Sequence, residues 1–350
     1  MAATSRELVQ RCLRFETPTR VPRDFWSLPW ATNNYPDQMA EIKQRFPSDF
    51  VNAGGAAVYR PSAVRNGDPY VVGTYVDEWQ SQFTNIQAGV HGEVHTPQLT
   101  DLADWQQVQP PYDTLPTDWP AARDQVNRFC AATDKFVFGG SCARPWERYQ
   151  FIRGSFNTYL DIAERDTNFD RLLQRIQDYY LKELEFWCST DVDAVNFMDD
   201  WGAQRKMLIS PRMWRELFKP LYREYCEMAH AHGKFIFMHS DGYILDIYPD
   251  LIELGVDAVN SQLFCMDMSQ IAERAKGKIT FWGEIDRQHV LPAAPEKGRE
   301  AVRQVVHHLY DPRGGVIAQM EFGPGANPAT VMAVYDEWEK LTSSMIENRN

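Results

Sequence analysis

The run KFIFMHSDG, residues 234–242, carries an apolar β-type segment onto His239 and places a carboxylate, Asp241, two residues later. Side chains at i and i+2 of an extended chain point the same way, so this imidazole and carboxylate can converge on one point. Such a pair suits metal ligation or acid–base work. Other strand-like runs end alike: DAVNFMDD on Asp199 and Asp200, ITFWGEID on Glu284 and Asp286, and GVIAQME on Glu321, while DAVNSQL ends on Asn260 and Gln262. Carboxylates are rarely buried without a partner, so their recurrence at one end of successive strands points to a shared site. An acid after a strand is also a common helix N-cap, the plainer reading for Asp286; Glu321, in MEFGPG well ahead of the next helix, fits that role poorly.

His239, Asp241 and Glu321 supply one nitrogen and two oxygen ligands. That set suits a catalytic divalent metal, zinc first and iron or manganese next, with a position left open for water or substrate. Without metal, the same groups could act as general acid and base, their pKa values pushed apart by crowding. The other histidines have plainer explanations: His230 and His232 fall in a last helical turn, His307 and His308 on a solvated helix, His91 and His95 in a loop. Arg144 and Arg148 flank Trp146 and Glu147 in SCARPWERYQF, and Arg23, Arg60 and Arg287 also lie near strand ends or loops. A guanidinium there could grip a substrate carboxylate or phosphate, or equally pair with a neighbouring acid.

The elements that must position these groups alternate in the second half. Strands are expected at 193–200, 234–239, 257–263, 279–284 and 315–321. Helices are expected from Ser210-Pro211 to Gly233 and at 244–254, 266–275, 295–309 and 328–348, the first opened by a Ser N-cap with Pro behind it. Strands at 21–28, 49–53 and 135–140, with helices near 37–45 and 156–187, bring the strand count to eight. Alternating strands and helices imply right-handed crossovers and a parallel sheet, and eight strands close a (β/α)8 TIM barrel. Residues 60–116, rich in Gly, Pro, Thr and Trp, read as a β-hairpin insertion between the second and third strands, formed by YVVGTYVDEWQ and AGVHGEVHTP. One barrel domain over 1–350 with this lid is the expected organisation. An open doubly wound sheet is the rival, but no Gly-rich phosphate loop follows any strand.

A net charge of −12 argues against nucleic-acid or anionic-membrane binding, and no apolar run approaches the length of a membrane span. The N-terminal MAATSRELVQRCLRF reads as an amphipathic helix without the apolar core of a signal peptide. Six dispersed cysteines with no CxxC read as reduced thiols, so a cytoplasmic protein is expected. Trp and Tyr are numerous, 11 and 15, so some are expected to line a cleft.

The run FMDDWGAQRKMLISPRMWRELFKPLYREYCEMAHAHGKFIFMHSDGYILDIYPDLIELGVDAVNSQ resembles the uroporphyrinogen decarboxylase superfamily, which includes corrinoid-dependent methyltransferases. GEIDRQHVLP, RYQFIRGSFNTYLDI and TRVPRDFW extend the resemblance over nearly the whole chain. It implies the same barrel. The arginine-rich segment that grips porphyrinogen carboxylates after the first strand reads SLPWATNNYPDQ here, with no arginine, which argues against haem-pathway decarboxylation. The methyltransferase branch holds zinc with His-x-Cys after strand five and a further Cys after strand eight. His239 matches the first ligand, while Asp241 and Glu321 stand at the two thiolate positions, Glu321 seven residues before Pro328. A harder ligand set of this kind favours an oxygen substrate, such as a methyl ether, alcohol or carboxylate.

The resemblance therefore implies transfer of a methyl group from a small methoxylated substrate to cobalamin carried by a separate corrinoid protein. In that reading Asp199 or Asp200 supplies a proton or a further ligand, Glu284 orients a ligand, and Trp26, Trp30 and Trp201 wall the substrate. Arg144, Arg148, Arg287, Asn260 and Gln262 complete the binding surface. Two rivals stay open: a metal-free decarboxylase of a small carboxylated substrate, and a non-catalytic corrinoid- or tetrapyrrole-binding protein. Monomer and homodimer are both compatible with the sequence.

Overall fold

The computed structural model describes residues 3–347. Ten strands occur: β1 (Arg23–Ser27), β2 (Phe50–Asn52), β3 (Gly73–Val76), β4 (Gln82–Asn85), β5 (Phe136–Ala143), β6 (Ala194–Met198), β7 (Phe235–Ser240), β8 (Ala258–Ser261), β9 (Thr280–Trp282) and β10 (Val316–Phe322). Eight of them are parallel and follow the order β1-β10-β9-β8-β7-β6-β5-β2, with helices between. This is the (β/α)8 barrel that the alternation implies. It is nearly closed, since β1 and β2 share no ladder. Asp49 sews that seam: its N–H donates to the Arg23 carbonyl at 2.8 Å, and its carboxylate accepts from the Arg23 N–H at 2.7 Å.

Strands that alternate between barrel interior and helix layer must carry apolar residues on both faces. Phe50, Phe136, Phe138, Phe237, Trp282 and Ile317 fill the interior, with Phe138 stacked on Trp282 at 5.4 Å. The barrel is thus a packed core, not a pore, and its aromatic filling floors the mouth at the strands' C-terminal ends. Val9, Cys12 and Leu13 of the helix Ser5–Leu13 pack into the same cluster. A capping box on Thr4 and Glu7 starts that helix, whose expected amphipathic character matches its buried face.

Several elements differ from expectation for identifiable reasons. The helix expected over 156–187 is broken into Ser155–Glu164 and Thr167–Cys188, and a further helix, Pro145–Arg153, precedes it. Gly154 (φ +74°) and Arg165 (φ 58°) take positive φ, and Asp166 then caps the last helix by accepting from the Asn168 N–H at 2.7 Å. The helix after Ser210 breaks at Phe218, because Pro220 has no N–H to offer the carbonyl of Glu216. The hairpin is present, and β3 falls within the first expected run, but its partner is β4 rather than AGVHGEVHTP. The Asp77 carboxylate accepts from the N–H groups of Trp79 (3.0 Å) and Ser81 (2.8 Å), closing the turn early. The stretch after Ala88 joins the ladder through the isolated Thr84–Glu93 bridge.

Strand register builds the mouth. Met198 pairs with His239, and His239 with Asn260, while Trp26 pairs with Glu321. By alternation Asp200 and Asp241 lie one step beyond Met198 and His239 on the same side. In β5 the step from Phe138 to Cys142 spans four residues against two from Ala194 to Asn196, a bulge that redirects the strand's end. Gly140 permits it, since a Cβ there would sit 2.5 Å from Trp187.

Candidate active site

The register brings His239, Asp200 and Asp241 together. His239 Nε2 lies 3.5 Å from Asp200 Oδ1 and 3.6 Å from Asp241 Oδ1. Among the described residues these three form a group whose ligand atoms all lie within 4.8 Å of one another. The other ring nitrogen, Nδ1, is 2.7 Å from Asn260 Oδ1. Asn260 Nδ2 already donates to Gln319 Oε1 at 2.9 Å and to the Trp282 carbonyl, so Oδ1 is an acceptor and Nδ1 must carry the proton. Nε2 is thereby aimed at the two carboxylates. Burial pulls the His239 pKa down, but Asp200 and Asp241 outweigh it and push it up to about 9. Burial likewise opposes Asp200's charge, yet its bond to His239 holds the carboxyl below the usual range.

Glu321 is elsewhere. The expected His239–Asp241–Glu321 set is not what the structure gathers: Glu321 Oε1 accepts from Arg287 Nη1 at 2.9 Å, and Asp200 takes its place beside His239. The Arg287 guanidinium also bonds Asp241 Oδ2 and lies 3.3 Å from Glu284 Oε1, so one cation bridges three carboxylates. Glu284 is 1% exposed, and neither of its oxygens has hydrogen-bond geometry. Burial, only partly countered by Arg287, pushes its pKa up to about 8. Gln262 Oε1 accepts from the Gly242 N–H at 3.1 Å and lines a recess of about 50 Å³ with Glu284 and Arg287. The Trp26 ring lies 5.6 Å from His239, its Nε1 fixed on Asp24 at 2.9 Å, so it walls the group.

Other expected site residues turn out to be structural. Asp199 points to the opposite side and is wholly buried. It accepts from the N–H groups of Trp146 (3.1 Å) and Glu147 (2.8 Å) and from the Tyr222 hydroxyl (2.6 Å), satisfying the start of helix Pro145–Arg153. Trp201 is no wall of the mouth: it is 0% exposed, stacked on Trp146 at 4.9 Å and bonded to Tyr222. Trp30 packs on Tyr35 beside the insertion, its N–H donating to the Gly89 carbonyl. Arg148 is not free for substrate, since it pairs with Asp77 at 2.5 Å between the rings of Trp79 and Phe151. Asn260 is 0% exposed and acts on His239 rather than on a ligand. Arg144, by contrast, faces a cleft of about 510 Å³ between the hairpin and the barrel mouth.

The same cleft exposes two acids that sequence reading passed over. Glu147, in the first turn after Arg144, resembles an ordinary solvated helix-start acid, yet Oε2 is buried without a partner. Burial raises its pKa, and its field couples it to Arg144 on one side and to Asp200 and His239 on the other. Glu183 lies on the apolar face of helix Thr167–Cys188, where a lone acid between Tyr179, Tyr180 and Leu184 was the available signal. Tyr59 donates to it at 2.8 Å, and burial pushes its pKa up to about 7. A carboxyl whose folded pKa is raised supports folding fully below its unfolded value near 4.5, and that support is lost as pH rises through 7. We expect Glu183→Gln to flatten the decline in stability between pH 4.5 and 7 by on the order of 3 kcal/mol. Urea unfolding at a series of pH values measures this; parallel profiles for the two proteins would refute it.

The uroporphyrinogen decarboxylase (URO-D) family model matches residues 84–341. Comparison with curated proteins finds no match. Among solved structures, a methyltransferase from Methanosarcina mazei is 12% identical, covers 97% of this chain and 99% of its own, and superposes with a TM-score of 0.68. A family 10 endo-β-1,4-xylanase from Gloeophyllum trabeum reaches 0.40 at 14% identity over 62% of this chain and 80% of its own, a resemblance on which nothing is built. No helix of the described residues is long and apolar enough to cross a membrane. With residues 84–341 matched, well over half of its length, the chain belongs to the uroporphyrinogen decarboxylase (URO-D) family.

Proposed function

We propose that this chain moves a methyl group from a small methoxylated substrate to a corrinoid carried by a partner protein, with a divalent metal held by Asp200, His239 and Asp241. The observation that carries this reading is the spacing of that trio. Ligands bonded at about 2.0–2.2 Å around a tetrahedral centre sit roughly 3.3–3.6 Å apart. The separations of 3.5 and 3.6 Å from Nε2 fit that polyhedron, and Asp241 Oδ1 is buried without a hydrogen-bond partner. Zinc suits the set, as do iron and manganese. When bound, the metal would polarise a substrate oxygen as a Lewis acid. Fold-wide likeness to the Methanosarcina methyltransferase is consistent with the class.

The chain's own groups do the remaining work. Asn260 fixes the ring plane and tautomer of His239. Arg287 holds the second oxygen of Asp241 and balances the surrounding negative charge. Glu284, buried beside that guanidinium, is placed to return a proton to a leaving oxygen. Trp26 and the aromatic floor keep water from the His239 side. The test is elemental analysis and methyl transfer to reduced cobalamin, followed by absorbance. About one zinc, iron or manganese per chain is expected, lost in Asp200→Ala and retained in Glu321→Gln. Retention in Asp200→Ala would refute the trio.

A second reading is favoured by Arg144, a cation on the cleft without an ion pair among the described residues. In a decarboxylase it would bind the departing carboxylate, with Glu147 protonating the carbanion-like centre. Release of CO₂ from carboxylated substrates by metal-free protein would favour this reading over methyl transfer.

A further inference from the structure

Every other deeply placed arginine on this side of the barrel is satisfied. Arg148 has Asp77, Arg153 has Asp161 at 2.7 Å, and Arg287 has three carboxylates. Arg144 differs: among the described residues no Asp or Glu oxygen lies within ion-pair distance of it, and it is balanced by the Cys142 thiol and by the longer-range charge of Glu147 and Asp199. Taking a guanidinium out of water is costly unless a matched anion completes it. The β5 bulge and Gly140 hold this residue at the strand's end, so its position is built into the sheet.

What surrounds Arg144 narrows the anion. The cleft it faces is walled by Tyr75 and Phe83 from the hairpin and by Phe151 and Tyr180 from the barrel helices. Phe83 and Phe151 meet edge to face at 5.1 Å, closing the hairpin over the cleft. Such walls favour a flat ring, and a forked guanidinium favours a planar carboxylate taken in two parallel hydrogen bonds. Glu147 lines the same cleft, and its charge is felt by Arg144 as well as by Asp200 and His239. Of the other acids on the cleft, Asp77 is taken by Arg148 and Glu183 by Tyr59, which leaves Glu78 on the hairpin side.

We infer that the cleft between the hairpin and the barrel mouth binds an aryl carboxylate, its carboxylate on Arg144 and its ring between the aromatic walls, the far end directed at the His239 group. The inference rests on reading this mouth as the substrate site, but it concerns binding and leaves the carboxylate intact. It is tested by calorimetric titration of the metal-depleted chain with 4-methoxybenzoate, its neutral counterpart 4-methoxybenzamide, and inorganic phosphate. The benzoate is expected to bind at least about tenfold tighter than the benzamide, a preference for charged over neutral hydrogen bonding. Arg144→Gln should lose that preference, Arg144→Lys should regain part of it, and His239→Ala should keep it. Melting curves identify a variant that has unfolded; Arg144→Lys then carries the comparison alone, as weaker binding with the ring selectivity kept. Equal affinity for benzoate and benzamide, an unchanged Arg144→Gln, or phosphate outcompeting the benzoate would each overturn the inference. Binding retained by a wild-type chain that transfers no methyl group would refute the proposed reaction and spare this site, whereas His239→Ala is expected to lose the reaction and keep the binding.

Discussion

His239→Ala should abolish the proposed methyl transfer, with a loss of at least about 10³-fold, and should lose the proposed metal. The imidazole is the only nitrogen in a group otherwise made of carboxylates, and its Nε2 faces both of them. Removing it leaves Asp200 and Asp241 facing each other with Arg287 as the remaining nearby cation. Asn260→Ala provides the graded comparison. It removes the acceptor that fixes Nδ1–H, together with the Nδ2 donor to Gln319 and the Trp282 carbonyl, and such supporting partners typically cost 10- to 100-fold in metal affinity or activity. Metal content and turnover measured together on both variants check the prediction. An Asn260→Ala variant as dead as His239→Ala would mean that the amide does more than orient the ring. Near-wild-type activity in His239→Ala would remove the group from the chemistry altogether.

Asp77→Asn should destabilise the protein by about 3–5 kcal/mol, the range for leaving a buried charge without its partner. Arg148 and Asp77 have side chains 7% and 6% exposed and lie 2.5 Å apart. The substitution is chosen for its geometry. Asp77 Oδ1 accepts the turn bonds from Trp79 and Ser81, and an amide oxygen can still do so. Oδ2, which meets Arg148, becomes an NH₂ that points a donor at a guanidinium. The penalty therefore reports on the ion pair and not on the turn. Replacing both partners with apolar groups, Asp77→Leu with Arg148→Met, should cost less than either single change to alanine. Denaturant unfolding gives the free energies, and hydrogen exchange over 73–85 shows whether the hairpin loosens first. A cost under about 1 kcal/mol for Asp77→Asn would show that the pair is dispensable.

Much of this site is legible in the sequence, and the misses follow from particular residues. His239 and Asp241 are found because an apolar β run ends on them. The twin aspartates are not separated by type, yet parity separates them: Met198 pairs with His239, so Asp200 follows the site face and Asp199 the helix layer. Glu321 and Trp26 sit side by side in register, but Arg287 enters from the loop after β9 and claims Glu321. A loop residue's reach is set by tertiary packing, which periodicity does not record. Arg144 and Arg148 illustrate the same limit. Four residues apart on one short segment and alike in character, they differ because the hairpin brings Asp77 to only one of them. The helix break at Phe218 is marked by Pro220, a signal weaker than the apolar period running through it.

The open seam has a consequence for how the chain is made. β1 has no ladder with β2, and its only strand partner is β10, where Phe25 lies opposite Met320. A ribosome therefore releases the first strand long before its neighbour exists, while β5 to β9 can pair in sequence as they emerge. Contacts so distant along the chain carry the largest loop-closure cost and form late. The half-made barrel thus keeps one edge waiting, and the barrel mouth, which has Trp26 of β1 against His239 of β7, is completed only when the last strand arrives.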